Sequence, residues 1–224
     1  DDANRLTIGL SNHWSDPKTG APLFSVSAGQ IFHFEDRRVT LDGNTAETED
    51  ASEFAAEFEL NLGANTVVYA DAVYDTGNKE FNRSSAGLNF VSDDQLTVAN
   101  LSYSFALPGV AESEQIDQID ASIVFPVSNQ WTVVARANYD MENEQELESF
   151  VGFEYNDCCY RFKVLARRWL DSNIAKLTDD QDARYDQGIF FELELKGLGG
   201  SGGKVDSILR ETIFGFDKRE QASK

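Results

Sequence analysis

Apolar and polar residues alternate with a period of two along most of this chain, and helical periodicity is nearly absent. Between Leu96 and Leu107, Ala99, Leu101, Tyr103, Phe105 and Leu107 share one face. Val98, Asn100, Ser102, Ser104 and Ala106 share the other. Trp131, Val133, Ala135, Ala137 and Tyr139 oppose Thr132, Val134, Arg136, Asn138 and Asp140. Phe54, Ala56, Phe58, Leu60 and Leu62 oppose Ala55, Glu57, Glu59 and Asn61, and Ile189, Phe191, Leu193 and Leu195 oppose Phe190, Glu192, Glu194 and Lys196. This pattern predicts eleven strands, near 5–14, 22–34, 52–62, 66–75, 82–91, 96–107, 116–126, 130–141, 146–156, 159–169 and 186–197.

Most of these strands run about ten residues, where globular strands average about 5–6. Alternating segments of that length are the mark of transmembrane barrels. The links point the same way. Short turns are expected at 62–66, 92–95, 127–129 and 156–158, with a slightly longer one at 15–22. Longer polar loops are expected at 35–51, 75–81, 108–115, 140–145 and 171–185. Short links on one side and long ones on the other suit a barrel with periplasmic turns and exterior loops. Tyr69, Tyr74, Phe90, Tyr103, Phe125, Trp131, Tyr139, Tyr155, Tyr160 and Trp169 crowd the strand ends, as girdle aromatics do. A soluble β-sandwich also alternates, but with shorter strands and no alternation of loop length. The expected fold is therefore all-β: an antiparallel transmembrane β-barrel portion of about eleven meandering strands.

Eleven is odd, so the two ends of the meander fall on opposite sides of the sheet, whereas single-chain bacterial barrels have even counts. This leads us to expect the C-terminal part of a larger barrel, with upstream strands removed. The chain opens at Asp1-Asp2 without an initiator Met or signal peptide, which fits a processed or excised piece. Residues 1–197 are assigned to the barrel portion. Residues 198–224 are assigned to a Gly-rich linker and a periplasmic C-terminal tail. In the tail, Val205, Ile208, Leu209 and Ile213 stand at near-helical spacing, so it is either a short amphipathic piece or a loosely packed end.

Composition narrows the function classes. The chain has 224 residues, 39 Asp+Glu against 19 Lys+Arg, and a net charge of −20. That acidity argues against nucleic acid, which needs clustered Lys and Arg. Sixteen Phe, seven Tyr and three Trp argue against disorder. Two His and two Cys leave little for a zinc site or a Cys/His nucleophile. Glu57/Glu59 and Glu192/Glu194 imitate acid–base pairs, but alternation produces such i,i+2 pairs without function. His13 and His33 have no Gly-x-Ser-x-Gly partner. No enzyme and no resident cofactor or metal are expected.

The inward positions supply Glu57, Glu59, Asp71, Asp120, Arg136, Asp140, Glu154, Arg161, Lys163, Arg167, Glu192 and Glu194. Among them Arg161, Lys163 and Arg167 form a basic cluster on the lumen side, or simply part of a water-solvated wall. Acidic stretches at 42–53 and 140–148 are read as exterior loops whose carboxylates are able to take up divalent cations. Cys158 and Cys159 are adjacent in the turn Tyr-Asn-Asp-Cys-Cys-Tyr. Neighbouring strand residues point to opposite faces. The two are therefore free thiols, or they bond to something outside the chain.

Three segments carry a family likeness: 25–41 (SVSAGQIFHFEDRRVTL), 158–171 (CCYRFKVLARRWLD) and 185–200 (YDQGIFFELELKGLGG), with the tail 204–216 (KVDSILRETIFGF). In order and spacing they resemble the C-terminal part of the β-barrel of the lipopolysaccharide-assembly outer-membrane protein family, LptD. The resemblance implies a barrel of about 26 strands that follows a periplasmic jellyroll. It implies a translocon component that assembles lipopolysaccharide into the outer leaflet through its lumen and a lateral seam. It further implies that Cys158 and Cys159 form disulfides with the absent N-terminal region. The implied partners are an LptE-type plug lipoprotein, the N-terminal half with its jellyroll, a periplasmic lipopolysaccharide bridge protein, the barrel-insertion machinery and lipopolysaccharide. Asp186, Gly188, Phe191, Leu193 and Leu195 fit the seam and the signal carried by barrel C-terminal strands, although the glycine stands earlier than in relatives. The implied location is the bacterial outer membrane, with the C-terminus periplasmic. A different class stays open: a porin-like channel, or a barrel fragment acting as client of the insertion machinery.

Overall fold

The computed structural model describes residues 4–35, 50–108, 115–170, 185–197 and 203–223. Its strands are β1 (Arg5–Ser15), β2 (Pro22–His33), β3 (Phe54–Leu62), β4 (Thr66–Asp75), β5 (Glu80–Val91), β6 (Val98–Ala106), β7 (Ile116–Pro126), β8 (Trp131–Asp140), β9 (Gln145–Asn156), β10 (Tyr160–Leu170) and β11 (Tyr185–Leu195). They form one antiparallel sheet in chain order, β1 to β11, so the predicted all-β meander and its strand count hold. Each strand lies within about two residues of its predicted bounds. Two helices follow, α1 (Lys204–Thr212) and α2 (Phe216–Ala222). No described helix is long and apolar enough to cross a membrane, which says nothing of strands.

The register obeys the alternation. Arg161 pairs with Asn156, Lys163 with Glu154 and Leu165 with Gly152, so these polar and small residues share a face. Across β10 and β11, Lys163 pairs with Glu192 and Arg161 with Glu194. The opposite face is apolar and open: Leu10 is 71% exposed, Val151 57%, Ile189 74% and Phe191 77%. A soluble sheet buries such residues. Here aromatic rings gather on this face beside the strand ends, with Trp14 stacked on Phe24 at 3.8 Å. Trp131 lies 5.6 Å from Phe153 and 4.9 Å from Tyr155.

Two links differ from expectation. The stretches 75–81 and 140–145, read as longer polar loops, are tight turns of four residues between strands. The cause is an Asp-x-x-Asn motif used twice. The Asp75 carboxylate accepts from the Gly77 and Asn78 amides at 2.7 and 3.0 Å, and from the Asn78 side chain at 2.9 Å. Asp140 accepts likewise from Glu142, Asn143 and the Asn143 side chain at 3.0, 3.1 and 2.9 Å. Side-chain oxygens that take up turn amides close a hairpin tightly. The acidic stretch 140–148 is corrected with it. Asp140 is buried in the turn, and Glu146 and Glu148 are strand residues paired with arginines. The loops within 36–49, 109–114 and 171–184 lie outside the described residues, as do the Gly-rich positions 198–202.

By packing the chain divides into two compact units. One takes in residues 1–63, 67–86 and 104–116; the other takes in 64–66, 87–103 and 117–224. In the first unit Ala106 is the one described residue that is buried. The second unit holds a core of Val98, Val124, Val134, Phe150, Leu165, Val205, Ile208, Leu209, Ile213 and Phe216.

Candidate functional site

The second unit builds its site where the tail lies on the polar sheet face. Val205, Ile208 and Leu209 sit at i, i+3 and i+4, which puts them on one side of α1. Asp206 in the first turn and Arg210 in the last suit the helix dipole. Gly203 offers no side-chain cap. Instead the Glu192 carboxylate of β11 accepts the Asp206 backbone N–H at 3.1 Å. A Cβ at Gly203 would stand 2.1 Å from that carboxylate, so glycine lets the strand cap the helix. Gly215, at φ 85°, turns the chain between the helices in a left-handed conformation that suits glycine.

Apolar contact comes first. Phe216, Leu165, Val98 and Val124 are fully buried, and Ile213 and Val205 nearly so. Gly152 makes room: a Cβ there would lie 2.4 Å from the Val164 carbonyl and 2.9 Å from the Leu165 side chain. Phe190 packs against the same core, its ring folded back over Gly188.

Charge pairing lies beside this core. Arg161 donates to both oxygens of Glu220 at 2.7 and 3.0 Å. Lys163 reaches Asp206 at 2.7 Å, Glu220 at 3.4 Å and Glu154 at 3.7 Å. Arg219 clasps Glu154 at 2.9 and 3.0 Å and donates to Thr132 at 2.8 Å. Arg161, Lys163, Glu154, Arg219 and Glu220 are each 2–3% exposed. Asn156 donates to the Ser223 carbonyl at 3.1 Å, and Asn100 to the Phe214 carbonyl at 3.0 Å. Burial acts to raise the Asp206 carboxyl, but hydrogen bonds from Lys163 and Arg210 outweigh it and hold the group below its ordinary value.

The predicted residues sort as follows. Arg161 and Lys163 are brought together, and their counter-charges are the chain's own tail. Arg167 stands apart, donating to Glu148 at 2.5 Å with its guanidinium over Trp169. It ends a cross-strand ladder in which Arg136 bridges Asp120 and Glu148, both at 2.6 Å. Asp186 and Gly188 lie on the helix-bearing face of the edge strand β11, while Phe191, Leu193 and Leu195 lie on its open apolar face. Cys158 and Cys159 are exposed free thiols in the β9–β10 turn, their sulfurs 2.8 Å apart. The hydrogen bond with Cys159 and its nearby charge push the Cys158 thiol above its ordinary value. Sequence reasoning missed Glu154, Asp206, Arg219 and Glu220 as one charge cluster. The signal was the alternation of charge along 204–220 opposite the basic run 161–168.

Nothing in this arrangement is a nucleophile set beside a base. It is a wall with its own tail locked upon it. The family model for LptD, described as LPS transport system D, matches residues 1–131. A protein of Saccharophagus degradans called LPS-assembly protein LptD is 49% identical over 232 residues, covering 100% of this chain and 27% of its own length. Proteins of the same description from Marinobacter nauticus and Pseudomonas savastanoi are 35% and 32% identical, each over 98% of this chain and over 26% and 27% of their own lengths. The chain thus spans about a quarter of the length of these relatives. With that match covering more than half of its residues, the chain belongs to the LptD family, LPS transport system D.

Proposed function

We propose that this chain forms the C-terminal wall of a translocon that assembles lipopolysaccharide into the bacterial outer membrane. The observation that carries the reading is the two-faced sheet. Its long strands expose large apolar residues on one face and set charged residues on the other, which suits lipid outside and a polar passage inside. The wall supplies no chemistry; it guides a phosphorylated, multiply acylated lipid. The edge strand β11, with Asp186, Gly188, Phe191, Leu193 and Leu195, is one lip of the lateral seam. The other lip is the first strand of the whole barrel. The C-terminus and the turn carrying Cys158 and Cys159 face the periplasm, where the two thiols form disulfides with upstream cysteines of the same protein. An LptE-type lipoprotein, the periplasmic bridge protein and the insertion machinery are its partners. Divalent cations bridge exterior carboxylates to lipid phosphates.

Conditional depletion of the full-length protein tests this. Newly made lipopolysaccharide should fail to reach the cell surface, and re-expression should restore it. Unchanged surface lipopolysaccharide with a loss of small-solute permeability would replace the translocon with a channel.

A further inference from the structure

The β9–β10 hairpin ends in the turn Asp157-Cys158-Cys159, closed by the Asp157 N–H donating to the Tyr160 carbonyl at 3.0 Å. The two cross-strand pairs nearest that turn on the helix-bearing face are Asn156 with Arg161 and Glu154 with Lys163. All four residues are held by the tail. Ser223 and Glu220 take Asn156 and Arg161. Arg219 takes Glu154, while Asp206 and Glu220 take Lys163. Both strands leading into the thiol-bearing turn are thus bolted to α2, to Ser223 just after it and to Asp206 of α1.

We infer that Glu220, Arg219 and Ser223 are positioning residues for the thiol pair: seating of the tail fixes the end of the hairpin and presents Cys158 and Cys159 in one orientation. This goes beyond lipopolysaccharide assembly and does not depend on it. The mechanism is mechanical. A short turn inherits its geometry from the pair that closes it, and fraying of those two pairs lets the thiols leave their mutual contact. Cys158 freed from its contact with Cys159 ionises more readily, and the thiolate is the reactive form.

The test is thiol alkylation by iodoacetamide in full-length protein folded in detergent and reduced, so that both cysteines are thiols. Mass spectrometry follows Cys158 and Cys159 separately, and amide exchange follows 154–161 and 204–222. Glu220→Gln keeps the side chain's shape and removes its charge. We expect alkylation to rise by about threefold, the ratio between the two thiols to shift, and exchange near the turn to quicken. Lys218→Gln, on an exposed tail residue, should leave both rates unchanged. A chain ending at Gly203 should behave like Glu220→Gln, and a peptide of residues 203–223 added in trans should restore the slow rate. Native rates and a native thiol ratio in any variant whose tail amides have lost protection would overturn the proposal.

Discussion

The two units make the same kind of strand and treat its polar face in opposite ways. In the first, β1 is exposed along its whole length, and the polar face shows short bonds between neighbours. Ser11 lies 3.0 Å from Ser27 and 3.3 Å from His13, Ser85 donates to Asp71, and Asn82 donates to Glu53. In the second, the same face is roofed by α1 and α2 over a buried apolar centre. The difference teaches where side-chain identity is constrained. A solvated wall tolerates exchange of one polar group for another. A roofed wall turns each charge into half of a buried pair, where removing one partner strands the other.

The largest contrast should come from arginines. Arg219→Met leaves Glu154 buried without its clasp and should cost about 3–5 kcal/mol in denaturant titration. Arg83→Met breaks a 3.8 Å pair with Asp71 whose side chains are 56% and 30% exposed, and should cost about 0–1 kcal/mol. Equal losses would end the comparison. Phe216→Ala empties a fully buried site under the roof and should cost about 3–5 kcal/mol, exposing the tail to proteases while the strands persist.

Glycines give the next contrast. Gly152→Ala drives a Cβ against the Val164 carbonyl and should cost about 1–3 kcal/mol. Gly9→Ala meets only the Ala28 carbonyl at 3.8 Å and should be nearly neutral by the same titration. The smallest effect is that of pH. The Asp206 carboxyl is held low in the folded chain. Its contribution is therefore full above the ordinary Asp value of about 3.9 and is lost as pH falls through the folded value. Tail amide protection should hold at neutral pH and fall only in that acid range. Asp206→Asn should flatten the response.

The strands were legible because a sheet with an open apolar face and a polar face writes its register as strict alternation. Trp131 to Asp140 could be sorted residue by residue. The turns after Asp75 and Asp140 were not legible as turns, since an Asx motif and a polar loop share one composition. The tail's apolar face was visible in Val205, Ile208 and Leu209. Its seat was not, because pairing Glu220 with Arg161 spans 59 positions and no local pattern encodes which charge meets which. Arg161 and Lys163 stood out as basic; that their partners would come from the same chain is a fact of tertiary structure.

The strand-borne cap of α1 has a consequence in time. A nine-residue helix is too short to persist alone in water, and its first turn borrows Glu192 from the final strand. The helix is therefore expected to form with or after β11, whose Glu192 caps its first turn. Its ellipticity, small beside the β signal, would serve as a clock for completion: a burst of helix after the strands have paired, and none from a wall that stalls before β11.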